Sequence, residues 1–240
     1  LQEMGVESDF IRIERGISRI NLKLKSIDGT EINGAGPDIS PERVEELMEK
    51  LDSLKEGDVL FLAGSIPASM PDDMYERIMK RLEGRGVMTV VDATKDLLVK
   101  VLKYHPFLVK PNNHELGEIF GVELKTREDV VPYGKKLQEM GAENVLISMA
   151  GEGAVLIAAN GQVYKKPVPT GTLVNGVGAG DSMVAGFMAG WMEKRDYRHA
   201  FYMGIAAGSA SAFSENLATG KEVEAVYRQV AGQKQEGENI

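Results

Sequence analysis

The run Asn175-Gly176-Val177-Gly178-Ala179-Gly180-Asp181 leads directly into the apolar segment Ser182-Met183-Val184-Ala185-Gly186-Phe187. Its glycines leave backbone N–H groups unobstructed. The helix that must follow aims its unpaired N–H groups and positive dipole end at the same point. Such a cradle suits a phosphate or another anion. Asp181 stands at its mouth. A carboxylate beside an anion site is electrostatically unfavourable unless it takes a proton. An oxyanion cradle beside a base is the pairing that phosphoryl transfer to a hydroxyl requires.

Three further polar or glycine-rich clusters follow apolar runs: Ala63-Gly64-Ser65-Ile66-Pro67, Lys110-Pro111-Asn112-Asn113-His114-Glu115, and Ser148-Met149-Ala150-Gly151-Glu152-Gly153-Ala154. In the second, Asn112 and Glu115 stand three apart at a helix start and share a face. An amide and a carboxylate so placed suit Mg²⁺ held through water. The same spacing also suits Glu115 as a partner of the helix dipole. Lys110 adds a phosphate-directed charge. In the third, small residues between two strands let a nucleotide approach the backbone closely. The chain has no G-x-x-x-x-G-K-[ST] loop and no H-R-D or D-F-G motif. A dinucleotide fingerprint fits Gly176–Gly180 poorly, because the glycines are misspaced and come late.

The elements that must position these residues are legible from periodicity. Residues 9–36 read as a β-ribbon in which Ile20, Leu22 and Leu24 alternate with Asn21, Lys23 and Lys25, turning at Asp28-Gly29. From Ser40-Pro41 the pattern changes. Helices are predicted near 40–54, 72–84, 95–103 and 113–120, and within 127–140, where Pro132 should disturb the first turns. Buried strands are predicted at 58–63, 87–91, 107–109 and 144–148. A hairpin about Asn160-Gly161 joins 154–159 to 162–168, and helices follow at 180–194, 198–214 and 221–231. Short apolar strands alternating with amphipathic helices predict an α/β fold with a doubly covered, mostly parallel sheet. Ligands of such sheets bind beyond the carboxyl ends of the strands.

Composition limits the partners. The chain has 240 residues, 43% hydrophobic and 27% charged, enough for one large α/β domain. A net charge of −8 argues against nucleic acid and anionic membrane, and the absence of cysteine removes disulfides and thiolate metal sites. His105, His114 and His199 lack ligand spacing. No apolar run approaches the ~18 residues of a membrane span. No signal peptide is evident, so a cytoplasmic location is expected.

The run Asn175–Asp181, the block Lys110-Pro111-Asn112-x-x-Glu115 and the block Ser148-x-x-Gly151-x-Gly153-Ala154, in this order, resemble the PfkB, or ribokinase-like, family of carbohydrate kinases. The resemblance covers essentially the whole chain. Asn175, the segment Ser182–Gly186 and Ser18-Arg19-Ile20-Asn21 are similar to the branch that phosphorylates sugar phosphates. The resemblance implies a ribokinase-like core at 37–231 with residues 9–36 as a lid and 232–240 as a frayed tail. It implies ATP and Mg²⁺ as cofactors and a ketohexose phosphate as acceptor. Fructose 1-phosphate is the first choice, with tagatose 6-phosphate and fructose 6-phosphate as alternatives. Asp181 would be the general base, with Gly178, Ala179 and Gly180 as the anion hole. Lys110, Asn112, Ser148, Ala150, Gly151, Gly153 and Asn216 would serve ATP, and Asn112 and Glu115 would serve Mg²⁺. Arg19, Asn21 and Ser65 would meet the acceptor. The lid would also be the contact of a homodimer. One departure stands out. The family's Gly-Gly-Lys-Gly-like sugar loop and the strands around it are not found here, so the chain is expected to be either an N-terminal truncation or a degenerate relative, and a nucleotide or sugar-phosphate binding module without catalysis is the competing expectation of another class.

Overall fold

The computed structural model describes residues 1–23 and 31–232. The chain divides into two compact units. One comprises residues 1–60 and 64–88, the other residues 61–63 and those from 89 onward.

In the first unit, β1 (Asn21–Lys23) pairs antiparallel with β2 (Glu31–Asn33), placing Leu22 opposite Ile32. Against the expectation of a ribbon over 9–36, residues 9–20 form no strand. There Arg12 and Glu14 alternate with Ile11 and Ile13, but Arg15-Gly16 interrupts the pattern, and Gly16 turns the backbone at φ 95°. Leu24, Lys25 and the Asp28-Gly29 turn lie outside the described residues. Helix α1 (Pro41–Leu51) starts with Pro at its first position, and α2 (Met74–Leu82) buries Met74, Tyr75, Ile78, Met79 and Leu82. Arg81 joins the end of α1 through its Nε, 2.8 Å from Asp52 Oδ1.

In the second unit, the sheet contains β3 (Val59–Ala63, of which the last three residues belong here), β4 (Met88–Asp92), β5 (Leu108–Val109), β6 (Asn144–Ser148), β7 (Ala154–Ile157) and β8 (Val163–Lys166), in that spatial order. Strands β4, β5 and β6 run parallel, and β7 and β8 add antiparallel at one edge. The α/β expectation holds, and the hairpin about Asn160-Gly161 supplies the antiparallel edge. The remaining helices are α3 (Lys95–Val101), α4 (Asn113–Phe120), α5 (Arg127–Glu139), α6 (Ala179–Lys194), α7 (Tyr197–Ala212) and α8 (Gly220–Gly232).

Both faces of the sheet are covered. Register sets Leu156 opposite Tyr164, so these two share a face and Ile157 points to the other. Tyr164 meets Phe201 of α7, with ring centroids 6.2 Å apart. Gly134 of α5 lies over Ile157, and a Cβ there would come within 2.7 Å of that side chain. Pro132 does not break α5, against expectation. Proline removes one helical donor, but Pro132 is exposed, so water can serve the carbonyl left free.

Candidate active site

The carboxyl ends of β4 and β5 carry an ion pair. Asp92 ends β4, and Lys110 follows β5, its N–H bonded to the Val91 carbonyl at 3.2 Å. Lys110 Nζ lies 3.2 Å from Asp92 Oδ1, and the lysine side chain is 8% exposed. The same Nζ is 3.4 Å from where a Cβ on Gly180 would stand, so the ammonium rests against the first turn of α6. Burial pushes the Asp92 carboxyl above the usual carboxylate range; Lys110 opposes that, while the negative charges of Asp181 and Glu115 add to it. Asp92, Lys110, Glu115 and Asp181 therefore form one electrostatic cluster.

The loop before α6 is held in place. Gly178 caps the helix in the left-handed region, at φ 77°. Asn175 accepts the Val177 N–H at 3.1 Å and donates to the Glu215 carbonyl at 3.0 Å. The Ala212 carbonyl at the end of α7 accepts the N–H groups of Val174 and Asn175. Helices α6 and α7 approach closely because glycines face each other's backbone: a Cβ on Gly186 would come within 2.6 Å of the Met203 carbonyl oxygen. Of the first N–H groups, that of Ala179 makes a long 3.3 Å turn bond to Gly176 and that of Ser182 bonds Gly178 at 2.8 Å. The Gly180 and Asp181 N–H groups stand in the first turn, where a helix offers no intrahelical partner. Asp181 is exposed there.

Asn112 and Glu115 form a reciprocal cap on α4. Asn112 Oδ1 accepts the Glu115 N–H, and Glu115 Oε2 accepts the Asn112 N–H, each at 2.8 Å. Glu115 Oε1 and the Asn112 amide nitrogen remain for other partners. No group of three or more His, Cys, Asp or Glu among the described residues could hold a metal by direct ligation. The donors that gather here are carboxylate oxygens beside a neutral amide. They fit a hard cation that keeps its water shell.

The loop after β6 divides by role. Ser148 ends the strand and bridges Asn112 in parallel register. Ala150 and Gly151 are exposed, and nothing lies within 4 Å of a Cβ placed on Gly151. Gly153 is buried, with φ 91°, and a Cβ there would come within 2.1 Å of the Lys166 carbonyl oxygen. Its lack of a side chain is required by β8 rather than by an open approach.

A groove of about 490 Å³ opens beside Ser182, walled by Ala185, Gly186 and Ala189 of α6, Met203, Ala207 and Ser211 of α7, and Val223 and Tyr227 of α8. Leu217 and Ala218 close it, whereas Asn216 is exposed and does not line it. Sequence reasoning missed this groove and Asp92. The groove arises from tertiary packing of three helices. Asp92 had a signal: it is the polar residue ending the apolar run Val90-Val91, at the strand end where the other clusters were sought.

In the first unit, Arg19 Nη1 donates to Ser65 Oγ at 2.9 Å, and Asn21 opens β1 opposite Asn33. The Gly64 carbonyl beside Ser65 accepts from Tyr75 Oη at 3.0 Å, tying that turn to α2. The structure thus brings Arg19 to Ser65. In the other unit it gathers Lys110, Glu115 and Asp181, with Asn112 bonded to Glu115 and bridged to Ser148.

The family model described as "pfkB family carbohydrate kinase" matches residues 1–224. The chain is 49% identical over 230 residues to the 1-phosphofructokinase of Bacillus subtilis, covering 96% of this chain and 75% of that protein. It is 36% identical over 217 residues to the D-tagatose-1-phosphate kinase of Bacillus licheniformis, covering 88% and 69%. A solved structure of a provisionally assigned phosphofructokinase from Staphylococcus aureus superposes with a TM-score of 0.84 at 38% identity, covering 95% and 74%. Among the described residues, no helix is long and apolar enough to cross a membrane.

Proposed function

The chain belongs to the pfkB family of carbohydrate kinases, and on that premise we propose that it transfers the γ-phosphoryl group of ATP to fructose 1-phosphate, giving fructose 1,6-bisphosphate. The observation that carries this reading is the exposed Asp181 carboxylate in the first turn of α6, beside open N–H groups and the Lys110 ammonium. The acceptor hydroxyl passes its proton to Asp181, its oxygen bonds to the γ-phosphorus, and the bond from that phosphorus to the bridging oxygen breaks, releasing ADP. The N–H groups of Gly178 and Gly180, joined by that of Ala179 once its long turn bond to Gly176 gives way, take up charge on the transferring group, and Lys110 neutralises the leaving phosphates. Asn112 and Glu115 would hold Mg²⁺ through water, and the ion would supply further neutralisation of phosphate charge.

Ser148, Ala150 and Gly151 border the nucleotide, and Gly153 shapes their loop. The apolar groove beside Ser182 takes the base, with Asn216, next to the closing Leu217, bordering it from outside the lining. Its volume and sparse polar groups suit a flat heterocycle. Arg19, with Ser65 and Asn21, receives the phosphate already on the sugar, since a guanidinium binds phosphate in a bidentate way. The apolar residues on the ribbon support self-pairing as a homodimer. The relationship to the Bacillus licheniformis protein favours D-tagatose 1-phosphate as a second acceptor.

Asp181→Asn tests the proton-transfer role. It is expected to lower turnover by at least ~10²-fold while MgATP affinity stays nearly constant. Turnover within a few-fold of wild type would remove Asp181 from the mechanism.

A further inference from the structure

The α8 wall of the groove rests on a polar chain that the reaction does not otherwise use. Tyr227 Oη lies 2.8 Å from His199 Nδ1, and His199 Nε2 lies 3.0 Å from Glu193 Oε2. The three residues come from α8, α7 and α6, the three helices that wall the groove. The His199 side chain is 9% exposed, and its ring meets Tyr227 edge-on with centroids 5.4 Å apart. An ionised Glu193 only accepts, so Nε2 carries the hydrogen; in the neutral ring, Nδ1 then accepts from the Tyr227 hydroxyl. The hydrogen bond from His199 leads the causes that hold the Glu193 carboxyl below the usual carboxylate range. The histidine backbone is fixed as well, its N–H donating to Asp196 Oδ1 at 2.6 Å in the α7 cap. Helix α8 itself buries only Val226 and Val230, so the bond to His199 adds a polar tie to a narrow apolar footing.

We propose that Glu193 and His199 are positioning residues that lock Tyr227 as the α8 wall of the base groove, so that His199 governs nucleotide affinity without touching the nucleotide. This rests on the reading that the groove receives the base.

Equilibrium binding to the purified protein decides it, with two probes: MgATP, and magnesium tripolyphosphate, which carries the phosphates without a base. Tyr227→Phe keeps the ring and removes the hydroxyl, and His199→Leu removes both bonds. Each is expected to weaken MgATP about five-fold, the scale of one lost hydrogen bond, and to leave tripolyphosphate unchanged. His199→Gln, whose amide can donate to Glu193 or accept from Tyr227, is expected to recover part of the loss. Equal weakening of both probes would reduce the chain to a general structural support and overturn the proposal. Val223→Trp separates the two readings by filling the groove. If it leaves MgATP affinity intact, the base does not bind there and the underlying reading falls. If it weakens MgATP while Tyr227→Phe and His199→Leu do not, the groove stands and the relay falls.

Discussion

Asp92 and Lys110 set the electrostatics of the candidate site. The lysine is buried against α6, and its pairing with Asp92 permits a cation to stay there. Burial nonetheless leaves the Asp92 pKa raised, and Asp181 and Glu115 push it the same way. A carboxyl whose folded pKa exceeds its unfolded value binds its proton more tightly in the native state. Its contribution is fully present below the unfolded pKa and is lost as pH rises through the folded one. Asp92→Asn removes that titration. The stability of wild type relative to Asp92→Asn should therefore decline as pH rises from the ordinary aspartate range through the raised pKa. Denaturant titrations of both proteins across acidic pH measure it; a flat difference would mean that Asp92 titrates normally. At this scale the glycine run and the Lys110–Glu115 block were legible because their spacing is local. Two assignments changed meaning in three dimensions. Asn112 and Glu115 spend half their polar atoms capping α4, and Gly153 is required by a strand remote in sequence.

At the scale of elements, the approach of α6 and α7 fixes both the cradle and the groove. Gly186 faces the Met203 carbonyl and the Ala207 methyl, each 2.6 Å from where a Cβ would stand. Gly186→Ala gains about 1 kcal/mol of helix propensity. It must also separate two helices by their backbones, and overpacking costs about 1–3 kcal/mol. Net destabilisation is expected, read as a lower denaturation midpoint at unchanged slope, together with weaker MgATP binding. An unchanged midpoint would show that the helices have room to part. Helix and strand order was legible from periodicity, since each predicted run from residue 40 onward became an element of the predicted type. The start of the ribbon was not, because Ile11 and Ile13 alternate with Arg12 and Glu14 as in a strand yet form none. Neither was the fate of Pro132, which depends on which side of α5 faces water.

For the whole molecule, the proposed self-association through the ribbon can be tested on named side chains. Ile20, Leu22 and Ile32 are 72%, 50% and 57% exposed; Leu22 and Ile32 oppose each other across the ribbon, so they share a face with Ile20, two residues earlier. An apolar stripe on a short ribbon is a ready surface for a second copy. Sedimentation should show a dimer that Leu22→Glu converts to monomer; a wild type monomeric at all concentrations would refute ribbon pairing. The direct measurement of the proposed reaction is ADP release by the protein with MgATP and, separately, fructose 1-phosphate, D-tagatose 1-phosphate, fructose 6-phosphate and tagatose 6-phosphate, with the product's phosphorus positions read by NMR. Turnover should be fastest with fructose 1-phosphate, with fructose 1,6-bisphosphate as product. ADP release that no ketohexose phosphate stimulates, or faster transfer to a 6-phosphate, would contradict that reaction.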